Sequence, residues 1–404
     1  MTQQKKLFSK QDRLIIILGS IAAIGPLSID MYLPGFSAIA KDLNTSISQV
    51  SLSLTTYFIG ISLGQIAYGP LLDKYGRKRP LLIGFIIYLI AAIGCAMAPT
   101  IEVFIVLRFL LALGGCVGMV ASRAIIRDRF ESNEIARAFS SLILVMGVAP
   151  IIAPTLGGEI VRLLNWRYIF WFLAIYSFLL LLLVRFGLPE SNAGNRNISL
   201  RPKQVWRGYL QVLKNRDFLI YGGAATLGLA GMFTYISGSP FAVMELLDFK
   251  DNQFGWLFGI NASGFIAASQ VNKALLKKRN SETVSFVVSI FTLGATLLLV
   301  VNAALGIIWP MLFLLSLFIF VASLGFINPN MQALALSPFK NNAGVASALI
   351  GSIRMLGGAI TSALVGVFHN NTAVPMAVIM LVCATAVFLI LVIKRREPLT
   401  VAIT

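Results

Sequence analysis

Apolar and polar positions alternate along this chain in long blocks. Twelve apolar stretches stand out, at roughly 14–40, 46–68, 80–99, 102–122, 137–162, 166–188, 217–240, 253–273, 283–304, 307–329, 344–367 and 373–393. Each reaches the length, about 20 residues, that an α-helix needs to cross the hydrocarbon core of a bilayer. Short polar or basic clusters separate them, among them residues 41–46 (KDLNTS), 73–79 (DKYGRKR), 127–134 (RDRFESNE) and 277–282 (KKRNSE). The pattern predicts an all-α membrane protein of twelve spans. One break is long. Residues 190–216 form the only sizeable hydrophilic stretch, with a short amphipathic helix predicted around Val205–Leu213. It divides the chain into an N-terminal six-helix bundle (1–190), a linker (191–216) and a C-terminal six-helix bundle (217–404).

Composition agrees. Of 404 residues, 57% are hydrophobic and only 12% charged, with 28 Phe and a mean hydropathy of +0.84. A soluble domain is about one quarter charged, so lipid replaces water over much of this surface. A disordered, coiled-coil or disulfide-rich secreted protein is excluded. Cys95, Cys116 and Cys383 all lie in apolar runs, with neither a disulfide framework nor metal-ligand spacing. The first apolar run continues past signal-peptide length and lacks a small-residue cleavage site, so it reads as a span.

Charge sets the orientation. Of 33 Lys and Arg, 27 fall on the side of the N-terminus, the linker and the C-terminus; Lys41, Arg162, Arg167 and Lys250 fall on the other, and Arg108 and Arg354 lie inside spans. The positive-inside rule places both termini in the cytoplasm. The net charge of +17 is thereby a matter of topology and anionic headgroups, and nucleic acid is not an expected partner.

The halves resemble each other. At an offset of 209 residues Ala124 falls on Ala333, Phe130 on Phe339, Asn133 on Asn342 and Ala138 on Ser347. The first span of each half ends alike, at Pro34-Gly35-Phe36 and Ser239-Pro240-Phe241. A duplicated six-helix unit is common among secondary transporters.

The strongest local motif runs from Gly69 through Asp73, Gly76, Arg77 and Lys78 to Arg79, between spans 2 and 3. Gly69 would permit close helix approach, Gly76 a tight turn. Asp73 would cap a helix or accept hydrogen bonds from an arginine, and with the basic run Arg77–Arg79 it would form a gate that latches the two bundles on the cytoplasmic side. This pattern resembles the loop signature of the major facilitator superfamily. Arg108-Phe-Leu-Leu-Ala-Leu-Gly114-Gly115 is similar to its arginine-bearing span 4 motif. Gly147-Val-Ala-Pro150-Ile-Ile-Ala-Pro154-Thr-Leu-Gly157-Gly158 resembles the span 5 motif of proton-driven antiporters. Asn165-Trp166-Arg167 resembles the opening of span 6 in drug exporters, and Ile29-Asp30-Met31-Tyr32-Leu33-Pro34 the span 1 string of the Bcr/CflA group, which includes bicyclomycin-resistance exporters. The second half departs from the pattern. Its corresponding loop keeps Lys277-Lys278-Arg279 without the Gly and Asp.

The resemblance implies the major facilitator fold, two bundles related by a pseudo-two-fold axis, and proton-coupled efflux of small, partly apolar molecules such as antibiotics. It implies a monomer in a bacterial inner membrane, driven by the proton gradient without a cofactor. Export of a native metabolite such as a siderophore, or a nutrient symporter, are the alternatives. A Gly-x-x-x-x-Gly-Lys-Ser/Thr phosphate loop is absent, which argues against ATP hydrolysis by that device, and no paired intramembrane acids suggest an enzyme.

Individual residues sharpen this. Pro150 and Pro154 share one helix face and favour a kink; Gly147, Gly157 and Gly158 would admit a neighbouring helix. Arg108, roughly 9 Å into span 4, either faces a partner or snorkels. Arg354 lies too deep to snorkel easily, and both arginines are candidates for proton coupling or substrate contact in a cavity. Asp30 is the one acidic residue of 16 well inside an apolar run, roughly 24 Å from its start. An ionised carboxylate at mid-span costs about 2.5–3.5 kcal/mol. Asp30 is therefore the first candidate for carrying the coupled proton, a cationic substrate competing for its charge. Capping a broken helix at Pro34 is its structural alternative.

Overall fold

Side-chain caps mark where the polar breaks end and the helices begin. Ser46 accepts from the Gln49 amide, Thr100 from Val103, Asn215 from Phe218 and Asn280 from Thr283. Each satisfies an amide that the first turn leaves without an intrahelical partner. The computed structural model describes residues 10–130, 132–195, 202–305, 309–339 and 343–396, and no strand occurs among them.

The first span is α1 (Lys10–Asp30), a 3₁₀ turn at Leu33–Gly35 and α2 (Phe36–Asp42). Next come α3 (Ile47–Tyr75), α4 (Lys78–Ala96), α5 (Ile101–Arg129), α6 (Ser132–Leu163) and α7 (Arg167–Leu182). The linker holds α8 (Pro202–Leu213). The second half has α9 (Arg216–Pro240), α10 (Asp251–Leu275), α11 (Ser281–Ala304), α12 (Pro310–Leu336), α13 (Ala343–Val367) and α14 (Val374–Arg396). Among the described residues, ten candidate spans are long and apolar enough to cross a bilayer. The remaining two of the predicted twelve correspond to α6 and to α10, which is more polar.

Three helices outrun their apolar stretches: α3, α5 and α12 end at Tyr75, Arg129 and Leu336 instead of near 68, 122 and 329. Hydropathy records where the solvent changes. Arg, Lys and Leu favour the helix equally well in water, so the coil continues past the membrane. This correction moves Arg123 from a loop into α5.

The first-half helices pack mainly on one another, α3 on α5, α5 on α4 and α1 on α6. In the second half α12 lies against α9, α10 and α11, and α14 against α9 and α11. Two main contacts join the halves, α3 with α13 and α6 with α10. The linker helix α8 turns Tyr209 and Val212 inward and leaves Trp206 and Leu210 exposed. The Tyr209 hydroxyl donates to the Ile66 carbonyl at 3.4 Å, placing α8 beside the end of α3. The two matched span ends both break helical regularity. At Pro34 the coil tightens to 3₁₀; after Pro240 it widens to a π-turn over Phe241–Leu246.

Candidate functional site

Asp30 is the last residue of α1, at the break that Pro34 imposes. Its burial is nearly complete, at 4% exposed, yet no side-chain hydrogen bond or ion pair holds it among the described residues. The following 3₁₀ turn takes Tyr32 as its N-cap and no side-chain cap bond, so Asp30 does not cap the broken helix. Tyr235 of α9 lies within electrostatic reach of Asp30, and the turn that follows Asp30 packs against α9 and α10. The Tyr235 hydroxyl in turn accepts a 2.8 Å hydrogen bond from the Asn261 amide of α10. The carboxyl therefore lies at the seam between the halves, beside a polar pair contributed by the second half.

Arg108 does not snorkel; it is fully buried. Its Nη1 donates to the Ser28 carbonyl at 3.0 Å. Its guanidinium carbon lies 4.0 Å from the Tyr32 ring centroid and 4.4 Å from that of Tyr57. The planar cation is held by aromatic faces. Nε and Nη2 have no partner, and Asp30 is not its counter-ion. Arg354 donates from Nη1 to the Gln332 carboxamide of α12, and its Nε is buried without a partner.

The α6 motif serves the seam. The helix runs unbroken from Ser132 to Leu163 through both prolines. A side chain at Gly157 would overlap the Met31 carbonyl at the α1 break, so close approach is required there. Gly158 is buried. The side-chain surroundings of Gly147 and Pro150 lie outside the described residues. One turn away, a Cβ on Gly255 of α10 would come within 2.6 Å of the Pro154 carbonyl, and one on Gly259 within 3.2 Å of the Ile151 carbonyl. Gly255 and Gly259 form a Gly-x-x-x-Gly spacing, a sequence signal for close helix contact that hydropathy does not register.

The other seam is a ladder of hydroxyls. Ser48 donates to the Gly366 carbonyl (2.8 Å), Ser51 pairs with Ser237 (2.6 Å), Thr55 donates to Ser362 (3.2 Å) and Ser62 pairs with Ser352 (2.9 Å). Positions 48, 51, 55 and 62 recur on one face of α3, a polar stripe within an apolar helix whose spacing is legible in the sequence.

The loop motif is built otherwise than expected at two points. Around Gly69 nothing lies within 4 Å of where a side chain would stand, so no helix approaches closely there. The described partners of Arg77 all belong to the first half and do not cross the seam. Arg77 pairs with Asp73 at 2.7 Å and grips Asp128 of α5 through Nε (2.8 Å) and Nη2 (3.3 Å). Burial works against its charge, but the bonds and charges of Asp128 and Asp73 outweigh this and hold the guanidinium above its ordinary value. Glu190 caps α4, accepting from the amides of Arg77 (2.8 Å) and Lys78 (3.1 Å). The Lys78 ammonium donates to the Arg185 carbonyl at 2.8 Å. Gly76 has φ +82°, and a Cβ there would meet the Asn192 carbonyl.

The family profile of the Major Facilitator Superfamily matches residues 18–362. The chain belongs to that superfamily. Within it, the chain is 37% identical over 376 residues, 92% of each chain, to an uncharacterized MFS-type transporter, YdgK, of Bacillus subtilis. It is 33% identical to a bicyclomycin resistance protein homolog of Haemophilus influenzae and 29% identical to the multidrug resistance protein MdtL of Escherichia coli. Those matches cover 95% of both chains in the first case, and 94% of this chain and 95% of MdtL in the second. Two solved structures share the fold at a TM-score of 0.70: an inward-facing bacterial homolog of the lysosomal transporter Spinster (12% identity, 96% of both chains) and a D-xylose–proton symporter (16% identity, 93% of this chain and 97% of that one). The major facilitator fold and the Bcr/CflA-type likeness stand. Among the described residues no cluster of His, Cys, Asp and Glu has the makings of a metal site.

Proposed function

We propose that this superfamily member exports small, partly apolar molecules, antibiotics among them, from the cytoplasm in exchange for protons. The observation that carries the reading is Asp30, a buried carboxyl without an ion-pair partner at a helix break on the seam. A group that alternates between two surroundings can take a proton on one side and give it up on the other, provided no fixed cation holds it ionised. Arg108, bonded to the Ser28 carbonyl and held by Tyr32 and Tyr57, is engaged elsewhere. It fixes the break that presents Asp30. The names of the relatives, bicyclomycin resistance and multidrug resistance, favour export of antibiotics over nutrient uptake.

In this reading the two bundles, 1–190 and 217–404, rock about the seam. The hydroxyl ladder that joins α3 to α13 and α9 and the glycine contacts of α6 and α10 part and re-form. Such neutral hydrogen bonds contribute only about 0.5–1.5 kcal/mol each, a scale at which a substrate or proton can shift the balance. The protein works as a monomer in the bacterial inner membrane, with both termini in the cytoplasm and the proton gradient as its only energy source. No cofactor takes part, and no covalent chemistry is done on the substrate.

The test is reconstitution into liposomes with an imposed pH gradient and a panel of antibiotics, bicyclomycin included, together with siderophores. Gradient-driven accumulation that a protonophore abolishes while ATP is present is the expected result. Transport that survives the protonophore and follows ATP would overturn the reading.

A further inference from the structure

The extension of α5 to Arg129 brings a second arginine to the seam. Arg123 lies two turns beyond Cys116 on α5, and Cys116 packs against the backbone of α3 at Gly64. This face therefore looks toward α3 and, across it, α13. From α13 comes Arg354, within reach of the Arg123 charge. Arg127, one turn further toward the basic side, adds to the field at Arg123. Among the described residues no carboxylate pairs with Arg123 or Arg354, and none figures among the charges acting on either.

Three features make this a site. Arg354 spends Nη1 on the Gln332 carboxamide, and its Nε–H is buried with no acceptor. The Gln65 carboxamide, from α3, lies against Gly351, one turn from Arg354. Beside Gly351, the adjacent Ser352 pairs with Ser62 of α3 and closes the seam there. Two like charges inside a seam are costly unless paired, and an unpartnered Nε–H carries its own desolvation cost. A guanidinium edge of this kind matches the two oxygens of a carboxylate.

We propose that Arg123 and Arg354 form a binding subsite for the anionic group of a substrate, a carboxylate or comparable oxyanion on an otherwise apolar molecule. This rests on the transporter reading above and names a substrate class for it. The subsite takes one arginine from each bundle, so an anion between them holds the halves together on the basic side. Arg127 supplies positive charge along the approach.

The probes are 1-naphthoate and its neutral analogue 1-naphthalenemethanol, measured by equilibrium dialysis on purified full-length protein in phosphatidylcholine nanodiscs. The readout is the ratio of their affinities. We expect naphthoate to bind at least tenfold more tightly, Arg354→Gln and Arg123→Gln each to remove most of that preference, and Arg354→Lys to restore part of it. A purely structural role would weaken both probes alike and leave the ratio unchanged. An unchanged ratio in folded variants, or no preference in the wild type, overturns the proposal. Nanodiscs of phosphatidylglycerol separate a soluble anion from a lipid headgroup. Undiminished naphthoate binding there supports a substrate subsite, whereas competitive loss assigns the arginines to lipid and overturns it. Equilibrium binding needs no gradient, so selective naphthoate binding without proton-driven transport would defeat the antiport reading and leave this one standing.

Discussion

Gly157 of α6 lies against the backbone of Met31, so closely that any side chain at 157 would occupy the place of the Met31 carbonyl oxygen. Met31 directly follows Asp30, where α1 breaks. The span 5 glycine and the span 1 carboxyl are thus parts of one contact. Replacing Gly157 with Ala or Leu must push α6 from the α1 break. Overpacking of this kind costs about 1–3 kcal/mol. Both variants are expected to insert, to melt at lower temperature in detergent and to lose export, Leu more than Ala. Wild-type transport by Gly157→Leu, in a protein of normal abundance, would refute the contact's role.

Asp30→Asn keeps the shape of the side chain and removes its titration. The variant is expected to fold and reach the membrane, because no ion pair is lost with the charge. Substrate-induced proton release from purified protein in detergent should vanish, while substrate binding persists. Asp30→Glu should retain part of the release. Full release from the Asn variant would exclude Asp30 as the proton carrier.

Arg108 is expected to tolerate no substitute. Lysine cannot lie flat between Tyr32 and Tyr57 and presents a compact charge that needs stronger solvation. Aromatic–cation contacts are worth about 0.5–2 kcal/mol. Both Arg108→Lys and Arg108→Gln should lower the melting temperature and abolish transport. A lysine variant as stable and active as the parent would show that charge alone suffices.

The loop network ranks its own members. Asp73 pairs with Arg77 once and its side chain is 56% exposed, whereas Asp128 is gripped through two nitrogens and is 16% exposed. Exposed ion pairs contribute about 0–1 kcal/mol, while removing one partner of a buried pair costs more. Asp128→Asn should therefore destabilise the protein more than Asp73→Asn in a thermal unfolding series. The reverse order would mean that Asp73 has a further partner in the working cycle, as a latch between the bundles would provide. Cysteine-labelling accessibility on both faces of the Asp73→Asn variant tests that directly.

Glu190 caps α4 from a segment that reads as featureless linker in the sequence. Glu190→Gln should cost about 0.5–2 kcal/mol, the usual value of a lost cap, with transport reduced in proportion to folded protein. A larger loss of transport than of folded protein would make this cap part of the gate.

The all-α membrane character and the order of the apolar helices were legible in the chain, because a bilayer enforces a helix wherever some 20 apolar residues run together. Asp30 and Arg108 were legible for the same reason: charge in an apolar run stands out. Where the helices end was not. Hydropathy reports the solvent boundary, and α5 crosses it, so only the structure places Arg123 on a helix at the seam. Partnership was also beyond the sequence. The loop motif suggested a latch between the halves, but Arg77 finds Asp73 and Asp128 within its own half, and Gly69 meets no neighbour. A side chain's partner depends on which helices lie within a few ångströms, and one-dimensional periodicity gives only the face it occupies. The pairing of α3 with α13 and of α6 with α10 joins residues about 100 to 300 positions apart, and it decides which buried charges remain without partners and so available for substrate and proton.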